Sequence, residues 1–108
     1  MRELKPQLII PLNDSSNHFE ILGKANAVKM RSGLVTLEPG HDVGSHSTKN
    51  FEELLIIIEG EGEIEAESAG RMKIAAGQFA YNPPNTQHNV YNTGSYPLRY
   101  IYVVSEAV

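Results

Sequence analysis

Two histidines and a glutamate carry the chemistry that this chain offers. His46 and Glu53 stand a short loop apart in Gly40-His-Asp-Val-Gly-Ser-His46-Ser-Thr48-Lys-Asn-Phe-Glu52-Glu53, and the most hydrophobic run of the protein, Leu54-Leu-Ile-Ile-Ile58, follows at once. Borderline divalent ions take imidazole nitrogen and carboxylate oxygen, so this pair at the mouth of a strand has the donor types of a metal site. Two donors do not complete one. The best third candidate is His88, in Pro83-Pro-Asn-Thr-Gln-His88-Asn-Val-Tyr-Asn92. Taken singly, each histidine reads rather as a surface or hydrogen-bonded residue, and Glu53 equally as a solvated carboxylate at a strand end.

Positioning these side chains falls to strands. Leu54–Ile58 is β-branched and closed by Gly60-Glu-Gly62, the pattern of a buried strand that ends in a turn. Leu34–Glu38 reads as a strand stopped by Pro39-Gly40. Ile64 and Ala66 alternate with glutamates, Ser68-Ala-Gly70 makes a turn, and Met72 and Ile74 alternate with Arg71 and Lys73. Pairing about Ala69 sets Glu67 against Arg71, Glu65 against Lys73 and Ile64 against Ile74, with one face apolar and the other charged. Gln78–Asn82, His88–Tyr91 and Leu98–Val104 are further strands, separated by Pro83-Pro84 and Asn92-Thr-Gly-Ser95. Upstream, residues 1–7 read as a tail, Leu8–Ile10 as a short strand and Asn13–Asn17 as a turn. His18–Leu22 and Ala25–Met30 read as two more strands. No 3.6-residue periodicity is sustained, so the expectation is an all-β sandwich or barrel.

A chain of 108 residues makes one domain with one core. Its formal charge of −4, with no Lys/Arg cluster, argues against a nucleic-acid partner. No apolar run approaches a membrane span, and the start Met-Arg-Glu-Leu-Lys-Pro shows no secretory leader. The absence of cysteine excludes disulfides and thiolate metal sites, and a cytoplasmic protein is the simplest expectation.

Together the two key stretches resemble the cupin superfamily, small barrels of the double-stranded β-helix or jelly-roll type. Gly40-x5-His46-x-Thr48-x4-Glu53-x6-Gly60 stands at the spacing of the family's first motif, and Gly77-x5-Pro83-x-Asn85-x2-His88-x3-Asn92 at that of the second. The resemblance covers roughly residues 34–104. It divides the chain into N-terminal strands and turns over residues 1–33, packed on the barrel edge, and a cupin barrel over 34–108. Asn85 replaces a motif glycine, and Asn tolerates the left-handed conformation that a tight turn can need. Thr48 replaces the second histidine of the first motif. A threonine hydroxyl is a poor ligand, so the family's three-histidine, one-glutamate set shrinks to His46, Glu53 and His88, with Thr48 as pocket wall.

Strand parity agrees. His46 and Thr48 share a face, and Glu53, unlike Glu52, lies in phase with Leu55 and Ile57. Leu54, Ile56 and Ile58 then face outward and need a cover, which residues 8–22 of the same chain would supply in part and a second subunit in a homodimer for the rest. His18 and His41 lie outside the motifs and read as surface residues, loop-borne His41 being able to swing toward the site. Tyr81, Tyr91, Tyr100 and Tyr102 read as strand packing. What the resemblance implies is a small-molecule cupin with a divalent ion (Fe, Mn, Zn or Ni), as an enzyme of dioxygenase or isomerase type. The alternatives are a non-catalytic ligand-binding or sensor barrel, or a cupin that has lost its metal.

Overall fold

The computed structural model describes residues 9–12, 16–67 and 69–107. Among the described residues nine strands follow one another: β1 (His18–Leu22), β2 (Arg31–Leu37), β3 (His46–Ser47), β4 (Phe51–Glu59), β5 (Glu61–Ala66), β6 (Gly70–Ala75), β7 (Phe79–Asn82), β8 (Gln87–Tyr91) and β9 (Leu98–Glu106). They form two antiparallel sheets, ordered β1-β2-β9-β4-β7 and β3-β8-β5-β6. Among the described residues there is no helix, and so none long and apolar enough to cross a membrane.

The core lies between the sheets. Val35, Leu37, Leu55, Ile57, Leu98 and Tyr100 come from the five-stranded sheet, and Ile74 and Val90 from the other. Alternation along β4 decides which side chains enter it. Leu55 and Ile57 are each 1% exposed, while Leu54 and Ile58 are 38% and 37% exposed. Glu53, two residues before Leu55, is therefore carried inward and buried, and Glu52 stays outside, where it accepts a bond from the Tyr81 hydroxyl.

Three sequence-based expectations are corrected. Ala25–Met30 is not a strand: Asn26 Oδ1 accepts from the Gly23 amide, and the Asn26 and Ala27 amides return to the Gly23 carbonyl, folding the segment into a turn. Ile9 and Ile10 lie outside any strand; the expected tail over residues 1–7, and Leu8, fall outside the described residues, as do residues 13–15 of the expected turn. In the β5–β6 hairpin, Ala66 pairs with Gly70, Glu65 with Arg71 and Ile64 with Met72, two residues from the expected register. The cause is Gly70, whose φ of 73° lets it open β6 and not extend the turn. Side-chain parity survives a two-residue shift, so the faces are as expected, and Arg71 reaches Glu63 diagonally at 2.8 Å.

The turn at Pro83-Pro84-Asn85 joins the two motif stretches. Asn85 takes a φ of 56°, and its amide donates to the Lys49 carbonyl at 2.7 Å, fastening the loop before His88 to the loop before Glu53. Asn85→Val should therefore destabilise the protein by about 1–2 kcal/mol through the left-handed backbone, while Asn85→Gly leaves it near wild type. Denaturant midpoints of the two variants check this; equal midpoints would contradict it.

Candidate functional site

Inside the barrel a cavity of about 740 Å³ opens to solvent, within the range of small-molecule sites. The five-stranded sheet supplies His18 from β1, Val35 and Leu37 from β2, Glu53 from β4, and Tyr100, Tyr102 and Val104 from β9. The loop between β2 and β3 adds Glu38, His41, Asp42 and Val43, and β3 adds His46. That loop is stitched to β8 and the residue after it: Val43 N donates to Val90 O, Asn92 N to His41 O, and Asn89 Nδ2 to Asp42 Oδ2.

Glu53, in the cavity wall, meets His88, which lies behind that wall and is not among the lining residues. His88 is 4% exposed, and its Nε2 lies 3.1 Å from Glu53 Oε1. Asn82 Nδ2 donates to the same carboxylate oxygen at 3.1 Å, a contact set by the β4–β7 register that pairs Glu53 with Asn82. His46 and His88 are cross-strand partners of β3 and β8, and their rings meet edge to face with centroids 4.3 Å apart.

The proton positions follow from the acceptors. His88 Nδ1 faces the Thr86 carbonyl at 3.0 Å, and a carbonyl only accepts, so Nδ1 carries a proton. A neutral His88 would then aim the lone pair of Nε2 at a carboxylate oxygen, which is repulsive. A positive occupant between Nε2 and Oε1 removes the conflict: a proton or a metal ion. His46 Nδ1 is fixed in the same way by the Gly44 carbonyl at 2.9 Å, which leaves its Nε2 as the unprotonated nitrogen. Burial by itself would lower the pKa of His88, but the bond to Glu53, the bond to Thr86 and the charge of Glu53 together hold it above the ordinary 6.5.

Of the sequence-based ligands, the fold thus brings Glu53 and His88 into contact and sets His46 against the His88 ring. Among the described residues no three His, Asp or Glu side chains are grouped closely enough to hold an ion as they stand. Donor type and tautomer nonetheless fit a cation at the Glu53–His88 gap. Thr48 is buried and turned to backbone: its hydroxyl donates to Pro83 O at 2.7 Å and accepts from Thr86 N at 3.0 Å. It ties the β3–β4 loop to the turn before His88, and it is not among the cavity-lining residues. Thr48→Val keeps the shape and removes both bonds, which should cost about 1–3 kcal/mol of stability. A variant with unchanged denaturation would contradict that role.

His18 and Tyr102 were not legible as site residues. His18 is exposed, as expected, but at the cavity's rim, where its Nε2 lies 2.6 Å from the Tyr102 hydroxyl. His41 likewise lines the cavity from its loop.

Two facing antiparallel sheets with a histidine–glutamate pair inside define a double-stranded β-helix barrel. The profile of the cupin domain matches residues 33–104, and the chain belongs to the cupin family. No curated protein matches it. Among solved structures, a cupin protein from Bacteroides fragilis is 18% identical with a TM-score of 0.83, covering 95% of this chain and 86% of that one. A Cupin 2 conserved barrel domain protein from Salinispora arenicola is 22% identical with a TM-score of 0.79, covering 95% and 92%. Both show the fold. A predicted oxalate decarboxylase from Thermotoga maritima is 26% identical with a TM-score of 0.67 over 70% of this chain. The match spans 65% of that protein's length.

Proposed function

We propose that this cupin binds a small organic molecule in its cavity and a divalent ion (iron, manganese, zinc or nickel) at His46, Glu53 and His88. The observation that carries this is the 3.1 Å approach of His88 Nε2 to Glu53 Oε1 with Nδ1 already committed to Thr86, an arrangement that calls for a cation. The ion, when bound, supplies a Lewis acid for a ligand oxygen. The chain's own part is to hold the imidazoles in the ligating tautomer through Gly44 and Thr86, and to steady Glu53 through Asn82. Without an ion, a proton occupies the gap. The Thermotoga likeness does not by itself carry oxalate over, because the cavity has Glu38, Asp42 and Glu53 in its wall and, among the described residues, no Lys or Arg. Calorimetric titration of each of the four ions into chelator-stripped protein tests the reading. One equivalent bound by wild type and none by His88→Ala is expected; equal uptake by both would sink it.

We also propose that the protein is a homodimer. One register row crosses the outer face of the five-stranded sheet as Phe19, Leu34, Ile101, Ile56 and Phe79, and the next holds Val103, Leu54 and Tyr81. Phe79 is 68% exposed, Tyr81 58% and Leu54 38%, whereas Leu34, at 1%, is already covered within the chain, so the open part of the patch lies toward β4 and β7. The Arg99–Glu59 pair and Glu52 border this patch, so a second copy stacking the same face would bury apolar rows and leave the charges at the rim.

A further inference from the structure

On the same sheet as Glu53, toward its β1 edge, lies a polar pair that the ion-binding reading does not use. His18 stands on β1 opposite Val35, and Tyr102 stands on β9 opposite Gly33, so β2 runs between them. Their contact passes over Gly33. A Cβ at that position would lie 2.6 Å from the Tyr102 hydroxyl and 2.8 Å from His18 Nε2, so only a residue without a side chain lets the two meet. Gly33 is not among the glycines with positive φ, and backbone conformation therefore does not explain it. Space does.

We infer that His18 and Tyr102 together form a hydroxyl-recognition site for the cavity's ligand, and that this ligand is an uncharged, hydroxylated molecule with an apolar body. The inference rests on the reading of the cavity as a small-molecule site and not on the ion. Burial, then the charges of Glu20 and Glu53, raise the pKa of the Tyr102 phenol, so it keeps its proton. With the imidazole Nε2–H donating to the phenol oxygen at 2.6 Å, the phenol keeps its own proton to donate and a second lone pair to accept, the complement of an alcohol or phenol that also does both. The rest of the wall selects against other classes. Glu38, Asp42 and Glu53 repel phosphates and dicarboxylates, and no Lys or Arg lines the cavity among the described residues to offset them. Val35, Leu37, Val43 and Val104 supply apolar surface for the ligand's body.

Fluorine NMR on chelator-stripped protein tests this with three probes: 4-fluorophenol, fluorobenzene, which lacks the hydroxyl, and 4-fluorophenyl phosphate, which adds charge. Wild type should bind 4-fluorophenol best. Tyr102→Phe and Gly33→Ala should each weaken that binding about threefold to tenfold, the loss of one hydrogen bond, and leave fluorobenzene unchanged. Gly33→Ala keeps both polar groups and only forces them apart, so it carries the test if Tyr102→Phe does not fold; thermal denaturation identifies a misfolded variant. The inference is overturned if 4-fluorophenol does not bind wild type, if neither folded variant weakens it, or if the phosphate binds as tightly. Ion uptake measured on the same samples is expected to be unchanged, so a failure of the metal reading is seen separately.

Discussion

Glu53→Gln is expected to weaken divalent-ion binding by about a hundredfold, because it removes the anionic donor while keeping side-chain shape and a carbonyl for Asn82. The same change takes away the charge and the hydrogen bond that hold the His88 pKa up, so burial is left to lower it. pH dependence follows from the sign of the wild-type shift. The folded pKa lies above the unfolded 6.5, so the protonated pair stabilises the ion-free protein fully below about pH 6.5. That stabilisation is lost as pH rises through the raised value. An entering ion must displace the same proton, so its apparent affinity falls as pH drops through the raised pKa. Titration calorimetry from pH 6 to 8.5 follows both effects. Ion affinity independent of pH, or equal in Glu53→Gln, would contradict the assignment.

Leu54→Glu should convert the proposed dimer to monomer. Leu54 is 38% exposed in the isolated chain, on the outer row with Val103 and Tyr81. Burying such side chains against a second copy contributes about 1.5–3 kcal/mol each, and a carboxylate placed at each of two symmetric positions reverses that sign. Sedimentation equilibrium at tens of micromolar should give about twice the 11.9 kDa of one chain for wild type and a single chain's mass for the variant. A monomeric wild type would end the proposal.

Much of this architecture is legible in the sequence because it follows from local rules. The two-residue alternation of β4 places Leu55, Ile57 and Glu53 inside without reference to any other segment. Asn85 could be read as left-handed from its position in a motif turn, and its φ of 56° agrees. What stayed hidden depends on distance or on where a strand stops. His18 and Tyr102 meet 84 residues apart through the missing side chain of Gly33, and neither residue's neighbours announce that contact. Parity put Thr48 on the His46 face, but β3 ends at Ser47, so the alternation stops one residue short and the hydroxyl turns to Pro83 and Thr86. The hairpin register slipped by two because Gly70 can serve either as turn or as strand.

The claim that a cation must sit between Glu53 and His88 is most directly tested by nitrogen-15 NMR of the His88 ring. In ion-free protein at pH 6, both ring nitrogens should be protonated, with Nδ1 bonded to Thr86 O and Nε2 to Glu53. On saturating with zinc at that same pH, the Nε2 proton should disappear and Nδ1 should keep its own. A His88 ring that is neutral without the ion at pH 6, or an Nε2 signal that zinc leaves unmoved, would contradict the account.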